Sequence, residues 1–537
     1  MRTWLALALA VALAGAAGDA SAAAVWRSRV AAATRYAENR AGLVSFAVVD
    51  ESGRLHGYRV SAVAPSASVL KAMLLVAYLR KADVRGRVLQ RWERDLLGPM
   101  IRRSDNAAAS AVLGLVGSAG VDRLARLADM ESFRLHLPIW GLSAITARDQ
   151  ARFFYRIDSY VPARHRRYAL RLLATIVDSQ RWGVARVSPP GWQLYFKGGW
   201  GSGTGLVDHQ VALLRTGGER VSLAILTRFN PDHAYGKKTL RGAAARLLRW
   251  LPRPLFRTRP AAVFGSDAGH VASLDSGCRR LRIRSFAGER AVVRTGAARC
   301  ASAHLALAGP RALWSWSETP RTHIRTAALD DPAPTEVATL EGGEVLRRVA
   351  GAARTLVFSR DAYDPGGSFA GGQVNEVGGG SCPVPERARV AAAGGRFAVG
   401  SSGRVEVRDL DTCRLIAAFA TAPTVESVAL GGDFAAALVR RADGARRIER
   451  YAVSSATRLG ATRVSQAARA RLDLGGGRIV YRGKQGLVAL SALSGRRWRL
   501  WDPRRTPIGF GAGRRRLFWM ENFGGRARAW MLVVPRG

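Results

Sequence analysis

Three short motifs carry serines and lysines whose types and spacing could make a nucleophile and its base. The first is Ser68-Val69-Leu70-Lys71. Residues three apart on a helix share a face, with Cβ atoms about 5–6 Å apart, so Lys71 stands within reach of Ser68. A serine at a helix start gains from the positive terminus, and a partly buried lysine can accept its proton. The second motif is Ser104-Asp105-Asn106, unusual in a chain with only five asparagines, set just before a small-residue helix starting at Ala107. The third is Lys197-Gly198-Gly199, at the end of an expected strand and ahead of the Gly-rich turn Trp200-Gly201-Ser202-Gly203. Each has a plainer reading: a capping serine with a snorkelling lysine, an ordinary helix start capped by Ser104 or Asp105, and a strand-end lysine before a flexible turn. Their occurrence together, in this order, favours chemistry.

The elements that must position them are legible from hydrophobic patterning. Residues 45–55 read as a strand running into the turn Asp50-Glu51-Ser52-Gly53, with a second strand after it. Residues 69–84 form a strongly apolar helix carrying Lys71. Residues 192–196, 206–214 and 221–227 read as strands joined by Gly-rich turns, and residues 238–251 as a basic amphipathic helix. Residues 24–252 are therefore expected to form one mixed α/β (α+β) domain. The proline-rich stretch 253–265 is expected to be a linker.

Beyond it the pattern changes to short strands and Gly-rich turns. A polar residue heads a strand at Arg311, Arg354, Arg396, Asp433, Arg478 and Arg515, a recurrence of about 40 residues. That period suits four-stranded blades, so residues 266–537 are expected to form an all-β propeller of six or seven blades, with a pair of β-sandwiches or another β-rich array as the alternative. Trp314 and Trp316 are expected to pack within a blade.

The chain has 537 residues and a net charge of +43, carried by 77 arginines and six lysines spread along its length. No dense basic run with interleaved aromatics marks a nucleic-acid face, so no nucleic-acid partner is expected; the basic surface suits an anionic cell-envelope surface. Met1-Arg2-Thr3, an apolar run of about 14 residues and Ala20-Ser21-Ala22 have the form of a secretory leader, residues 1–22, rather than of an anchor. No further transmembrane segment is expected, and the mature protein is read as secreted or extracytoplasmic, in the cell envelope. Cys278, Cys300, Cys382 and Cys413 agree with export. Four cysteines allow three pairings, of which Cys278–Cys300 with Cys382–Cys413 joins nearest neighbours. The eight histidines show no metal-like spacing, and no metal or cofactor is expected.

Ser-x-x-Lys, Ser-Asp-Asn and Lys-(Thr/Ser)-Gly, in this order, resemble the signature of class A β-lactamases and penicillin-binding D-Ala-D-Ala peptidases. The resemblance covers residues 24–252 and extends to residues 141–149, which look like the lead-in to the helix after that family's Ω loop. It implies a β-lactamase/transpeptidase-like serine hydrolase fold, with Ser68 as the acylated nucleophile and Lys71 as its proton acceptor. Ser104 would pass the proton to the leaving nitrogen, Asn106 would hold the substrate amide and Lys71, and Lys197 would supply positive charge. The N–H groups of Ser68 and Trp200 would form the oxyanion hole beside Gly198 and Gly199.

Two departures matter. Gly198 lacks the hydroxyl that normally meets the substrate carboxylate, and no arginine between Gly198 and Leu214 replaces it. Glu131 is the only glutamate between Asn106 and Lys197 and so the only candidate for a deacylating base. It lacks the expected Glu-x-x-Leu-Asn context and reads better as a solvated surface carboxylate. Asp208 and His209, adjacent in a strand, should point to opposite faces rather than form a dyad. The expected activity is acyl transfer through a Ser68 ester, on a β-lactam or on a peptidoglycan stem peptide ending in D-Ala-D-Ala, with slow deacylation. The alternative is a catalytically attenuated binding protein whose propeller captures a wall or protein partner; an esterase or amidase using the same serine is a third reading.

Overall fold

The computed structural model describes residues 25–537 except 217–218, 250, 268, 466–470, 484–485, 502–506, 514–515, 524 and 534–537. The expected leader and its cleavage site lie outside the described residues. The chain divides into two compact units, one of Ala22–Arg253 and one containing Pro254–Gly537.

The first unit opens with a helix, α1 (residues 25–38). It continues through β1 (Leu43–Val49), β2 (Leu55–Tyr58) and β3 (Val63–Pro65) to a 3-10 turn, Ala67–Val69, that runs directly into α2 (Leu70–Leu79). Then come α3 (Arg91–Arg102), α4 (Asn106–Leu127), β4 (Ala144–Thr146), α5 (Ala147–Tyr160) and α6 (Ala163–Ala174). The unit closes with β5 (Gln193–Gly201), β6 (Val207–Thr216), β7 (Glu219–Arg228) and α7 (His233–Leu247). The strands form an antiparallel sheet in the order β2-β1-β7-β6-β5, and β3 pairs separately with β4. Every residue of α2 is buried, Lys71 included. A helix buried on every side belongs to the core, and α2 packs centrally with α4 in the unit's large apolar core.

α4 is, by length and composition, the one helix among the described residues that could cross a bilayer. Its Ala, Val and Leu content satisfies the composition, yet Ala108, Ala109, Val112 and Leu113 are buried in the core and Gly117, at φ 69°, breaks the helix midway.

The second unit is all antiparallel sheet. Its described residues form seven four-stranded sheets, and in six of them chain order is strand order. These six span residues 261–294, 303–340, 344–384, 389–420, 424–464 and 472–501. The first strand of each sheet lies beside the first strand of the next, and the strand Gly509–Ala512 lies beside Ala261–Asp267. The seventh sheet takes its fourth strand, β8 (Arg253–Thr258), from the start of the unit. The expected linker over 253–265 is thus corrected: it holds β8 and the start of the strand Ala261–Asp267. Prolines suggested a linker, but β8 is an edge strand, where a residue without an N–H is tolerated.

At Arg311, Arg354, Arg396, Asp433 and Arg478 the repeat read from the sequence marks the hairpin between first and second strands, while Arg515 lies outside the described residues. At Gly394 and Gly395 the turn has φ 60° and 72°, the positive values that a two-residue hairpin matching strand twist requires. Trp314 and Trp316 are buried. Cys278 pairs with Cys300 and Cys382 with Cys413, at Cα separations of 5.6 and 5.5 Å, inside the span a disulfide bridges.

Candidate active site

Ser68 sits in the 3-10 turn that becomes α2, so Ser68 and Lys71 share a face as their spacing requires. The residue before it, Ala67, has φ 43°, and Ser104 has φ 59°. Left-handed backbone at non-glycine residues carries strain and concentrates where surrounding structure fixes a functional group. At Ser104 it turns both the carbonyl and the hydroxyl toward Lys71.

The Lys71 ammonium donates to Ser104 O (2.5 Å), Ser104 Oγ (3.2 Å) and Asn106 Oδ1 (2.6 Å). Lys197 Nζ donates to the same Ser104 Oγ at 3.0 Å and to Gly198 O at 2.7 Å. Ser104 Oγ therefore accepts from two lysines belonging to two different elements, which leaves its own proton free to be donated elsewhere. Asp105 is the N-cap of α4 and accepts from Ala108 N at 2.9 Å. Within this motif the aspartate caps the helix, and its neighbours hold Lys71.

Burial holds Lys71 down to about 8, against the opposing charge of Asp105. Burial, with Lys71 beside it, pushes Lys197 well below the usual lysine range. Two buried amines close together favour giving up a proton, and an amine titrating near neutrality is suited to general-base work.

β5 approaches the turn that holds Ser68 very closely. A Cβ on Gly199 would stand 2.9 Å from the backbone nitrogens of both Ser68 and Val69, so only glycine allows the strand this near. His209, on β6, ties the sheet to the same turn: its Nε2–H donates to Pro65 O at 2.8 Å and its Nδ1 accepts from Thr227 N at 3.1 Å. Burial drives its pKa to about 4, which keeps the ring neutral. Asp208 turns the other way, toward His233 Nδ1 at 2.5 Å. The expected opposite facing of these two neighbours is what the strand produces.

Two tryptophans at the site were not singled out from the sequence. Trp182 lies over Gly198, where an added Cβ would come within 3.3 Å of its ring. Gln210, opposite Gly198 on β6, fixes it by donating to Trp182 O at 2.9 Å and accepting from Val184 N at 2.6 Å. The position lacking a hydroxyl is thus walled by an indole, which meets Trp200 and His233 edge-on. Trp140 places its ring 5.2 Å from Lys71 Nζ, in the range of a cation–π contact.

Glu131 is not brought to this cluster. Its carboxylate is 62% exposed and pairs with Arg148 at 3.1 Å and Arg152 at 3.9 Å. Among the described residues no carboxylate accepts from the side chains of Ser68, Lys71, Ser104 or Lys197.

Residues 93–251 match the model of the β-lactamase enzyme family. This stretch is therefore a domain of the β-lactamase-like serine hydrolase family, containing Ser104, Asn106 and Lys197; Ser68 and Lys71 precede it and join it through the contacts of Lys71. Among solved structures the chain is similar to the β-lactamase of Sphaerobacter thermophilus, at 20% identity and TM-score 0.36 over 42% of this chain and 96% of that one. It is also similar to the class A β-lactamase of Mycobacterium abscessus, at 18% identity and TM-score 0.37 over 41% and 98%. A reconstructed ancestral class A β-lactamase matches at 18%, 0.37, 41% and 98%. No curated protein matches the chain.

Proposed function

We propose that the first unit is an exported serine acyl-transfer enzyme that opens β-lactams or cleaves the D-Ala-D-Ala end of cell-wall stem peptides through an ester on Ser68, with slow deacylation. The observation that carries this reading is the convergence of Lys71 and Lys197 on Ser104 Oγ beside the turn that holds Ser68. Ser68 Oγ attacks the carbonyl carbon and its proton passes to neutral Lys71 Nζ. As the C–N bond breaks, Ser104 Oγ donates its proton to the leaving nitrogen and is reprotonated from Lys71. The N–H groups of Ser68 and Trp200 receive the developing oxyanion, an interaction commonly worth a few kcal/mol.

Release of the ester needs an activated water. The segment covering Lys71 offers the Trp140 ring, and Glu131 is engaged with arginines, which supports accumulation of the acyl-enzyme. With a chromogenic cephalosporin the expected course is a burst of about one product per enzyme followed by a slow steady rate; fast linear hydrolysis without a burst would overturn slow deacylation.

The Trp182 wall over Gly198 favours a second reading, a catalytically attenuated envelope-binding protein, because a substrate carboxylate finds no hydroxyl there. Absence of any burst on both β-lactam and acyl-D-Ala-D-Ala substrates would select it. The second unit is proposed to be a seven-bladed propeller, supported by seven four-stranded sheets whose first strands are sequential neighbours and by closure of the last sheet with β8. The cysteine pairs and the β-lactamase-family domain support an extracytoplasmic site of action.

A further inference from the structure

The first strands of six sheets of the second unit line a partly open polar cavity of about 80 Å³, room for one small anion or two or three waters. Most of its wall is small or aliphatic, with Ala306, Ala350 and Ala391 as examples. The exceptions are charged or hydroxylic: Ser266, Arg348, Arg471 and Asp473. Two guanidinium groups therefore face one carboxylate.

The carboxylate is already engaged. Asp473 Oδ2 accepts from Ala512 N at 2.8 Å and Oδ1 from Leu474 N at 2.9 Å. Among the described residues Arg471 makes a single hydrogen bond, to Phe510 O at 3.2 Å. Arg348 reaches the cavity through a β-bulge between Leu346 and Arg348. Such a bulge re-aims neighbouring side chains, and here Arg347 turns instead to Asp361 Oδ2 at 2.6 Å. The Arg348 guanidinium has no hydrogen bond or direct ion pair among the described residues, and Ser266 Oγ is buried without a partner. Burial, then Arg471, holds Arg348 down to about 10, with Asp473 opposing and Arg389 adding to the effect. His304, on the first strand of the neighbouring sheet, has its pKa lowered by burial and by the Arg348 charge.

Desolvated guanidinium groups in excess of carboxylates are unfavourable unless a counter-charge completes their hydrogen bonds. Planar donors in a fork fit the oxygens of a carboxylate or a phosphoryl group. We infer that this cavity is an anion-binding site for a small carboxylate or phosphoryl group, gripped by Arg348 and Arg471 with Ser266 as a further donor. The site is independent of Ser68.

The test is titration calorimetry of the full chain with inorganic phosphate and with succinate, each at constant ionic strength set by sodium chloride. Because 77 arginines also attract anions elsewhere, the decisive comparison is with Arg348→Gln and Arg471→Gln. One saturable site, weakened at least about tenfold in either variant, is expected, and the better of the two ligands identifies the chemistry. Arg348→Lys, which keeps the charge and loses the fork, should weaken binding less and serves if the glutamine variants do not fold. A tungstate soak should place an anomalous peak in the cavity. Binding unchanged in these variants, or no saturable binding of either anion, would overturn the inference.

Discussion

Ser104 Oγ is where two buried lysines of the first unit meet, since both donate to it, and the proposed chemistry turns on it. Acylation needs Lys71 unprotonated, and its pKa is held near 8. The rate of ester formation should therefore rise with pH and level off above about 8. Asp105 opposes that depression, so Asp105→Asn, which keeps a capping side chain, should move the rising limb to lower pH; a limb that stays in place would show that another group titrates. Glu131→Ala should change the lifetime of the acyl-enzyme by no more than about twofold, since the carboxylate forms only exposed ion pairs, with Arg148 and Arg152, each worth about 1 kcal/mol or less. A marked lengthening would make Glu131 the deacylating base after all. The three motifs could be read from the sequence because serine, lysine and asparagine announce their chemistry by type and spacing. Trp140 and Trp182 could not, since a tryptophan in a loop gives no sign of what it will cover until β5 and α2 are packed.

At the scale of elements, the close approach of β5 to the start of α2 is what makes a site out of three motifs. Gly199→Ala would set a methyl group 2.9 Å from Ser68 N and Val69 N. It should slow acylation by about 100-fold, the typical effect of losing one oxyanion donor, while the variant still folds. Burst amplitude and rate check this; an unchanged rate would separate the strand from the oxyanion function. Helix and strand positions here followed from hydrophobic patterning, with ends shifted by a few residues: the helix expected over 238–251 is α7, His233–Leu247, because Asp232 caps it by accepting from Tyr235 N at 2.6 Å. The apolar helix expected to reach residue 84 ends at Leu79. What patterning missed was β8, where prolines on an edge strand look the same in sequence as prolines in a linker.

For the whole molecule, a compact unit bearing the proposed acyl-transfer site is joined to a second built from repeated sheets. The second unit's repeat was legible from Arg311 onward because each hairpin needs residues that accept positive φ. The repeat does not mark the first sheet, where the sequence after its first strand reads Asp267-Ala268-Gly269-His270. Both cysteine pairs lie in this unit, with sequence separations of 22 and 31 residues. Loops of that size make a disulfide worth about 3–4 kcal/mol in the chain-entropy account. Reduction should therefore lower the melting temperature of the second unit and leave the rate of Ser68 acylation unchanged. A parallel fall in acylation would show that the first unit depends on the second. The central claim is that Ser68 forms a lasting ester, and intact-mass spectrometry of the full chain and of Ser68→Ala after brief exposure to benzylpenicillin tests it most directly. A persistent adduct of one penicilloyl group on the unaltered chain and none on Ser68→Ala is the predicted result; an adduct on both, or on neither, would contradict it.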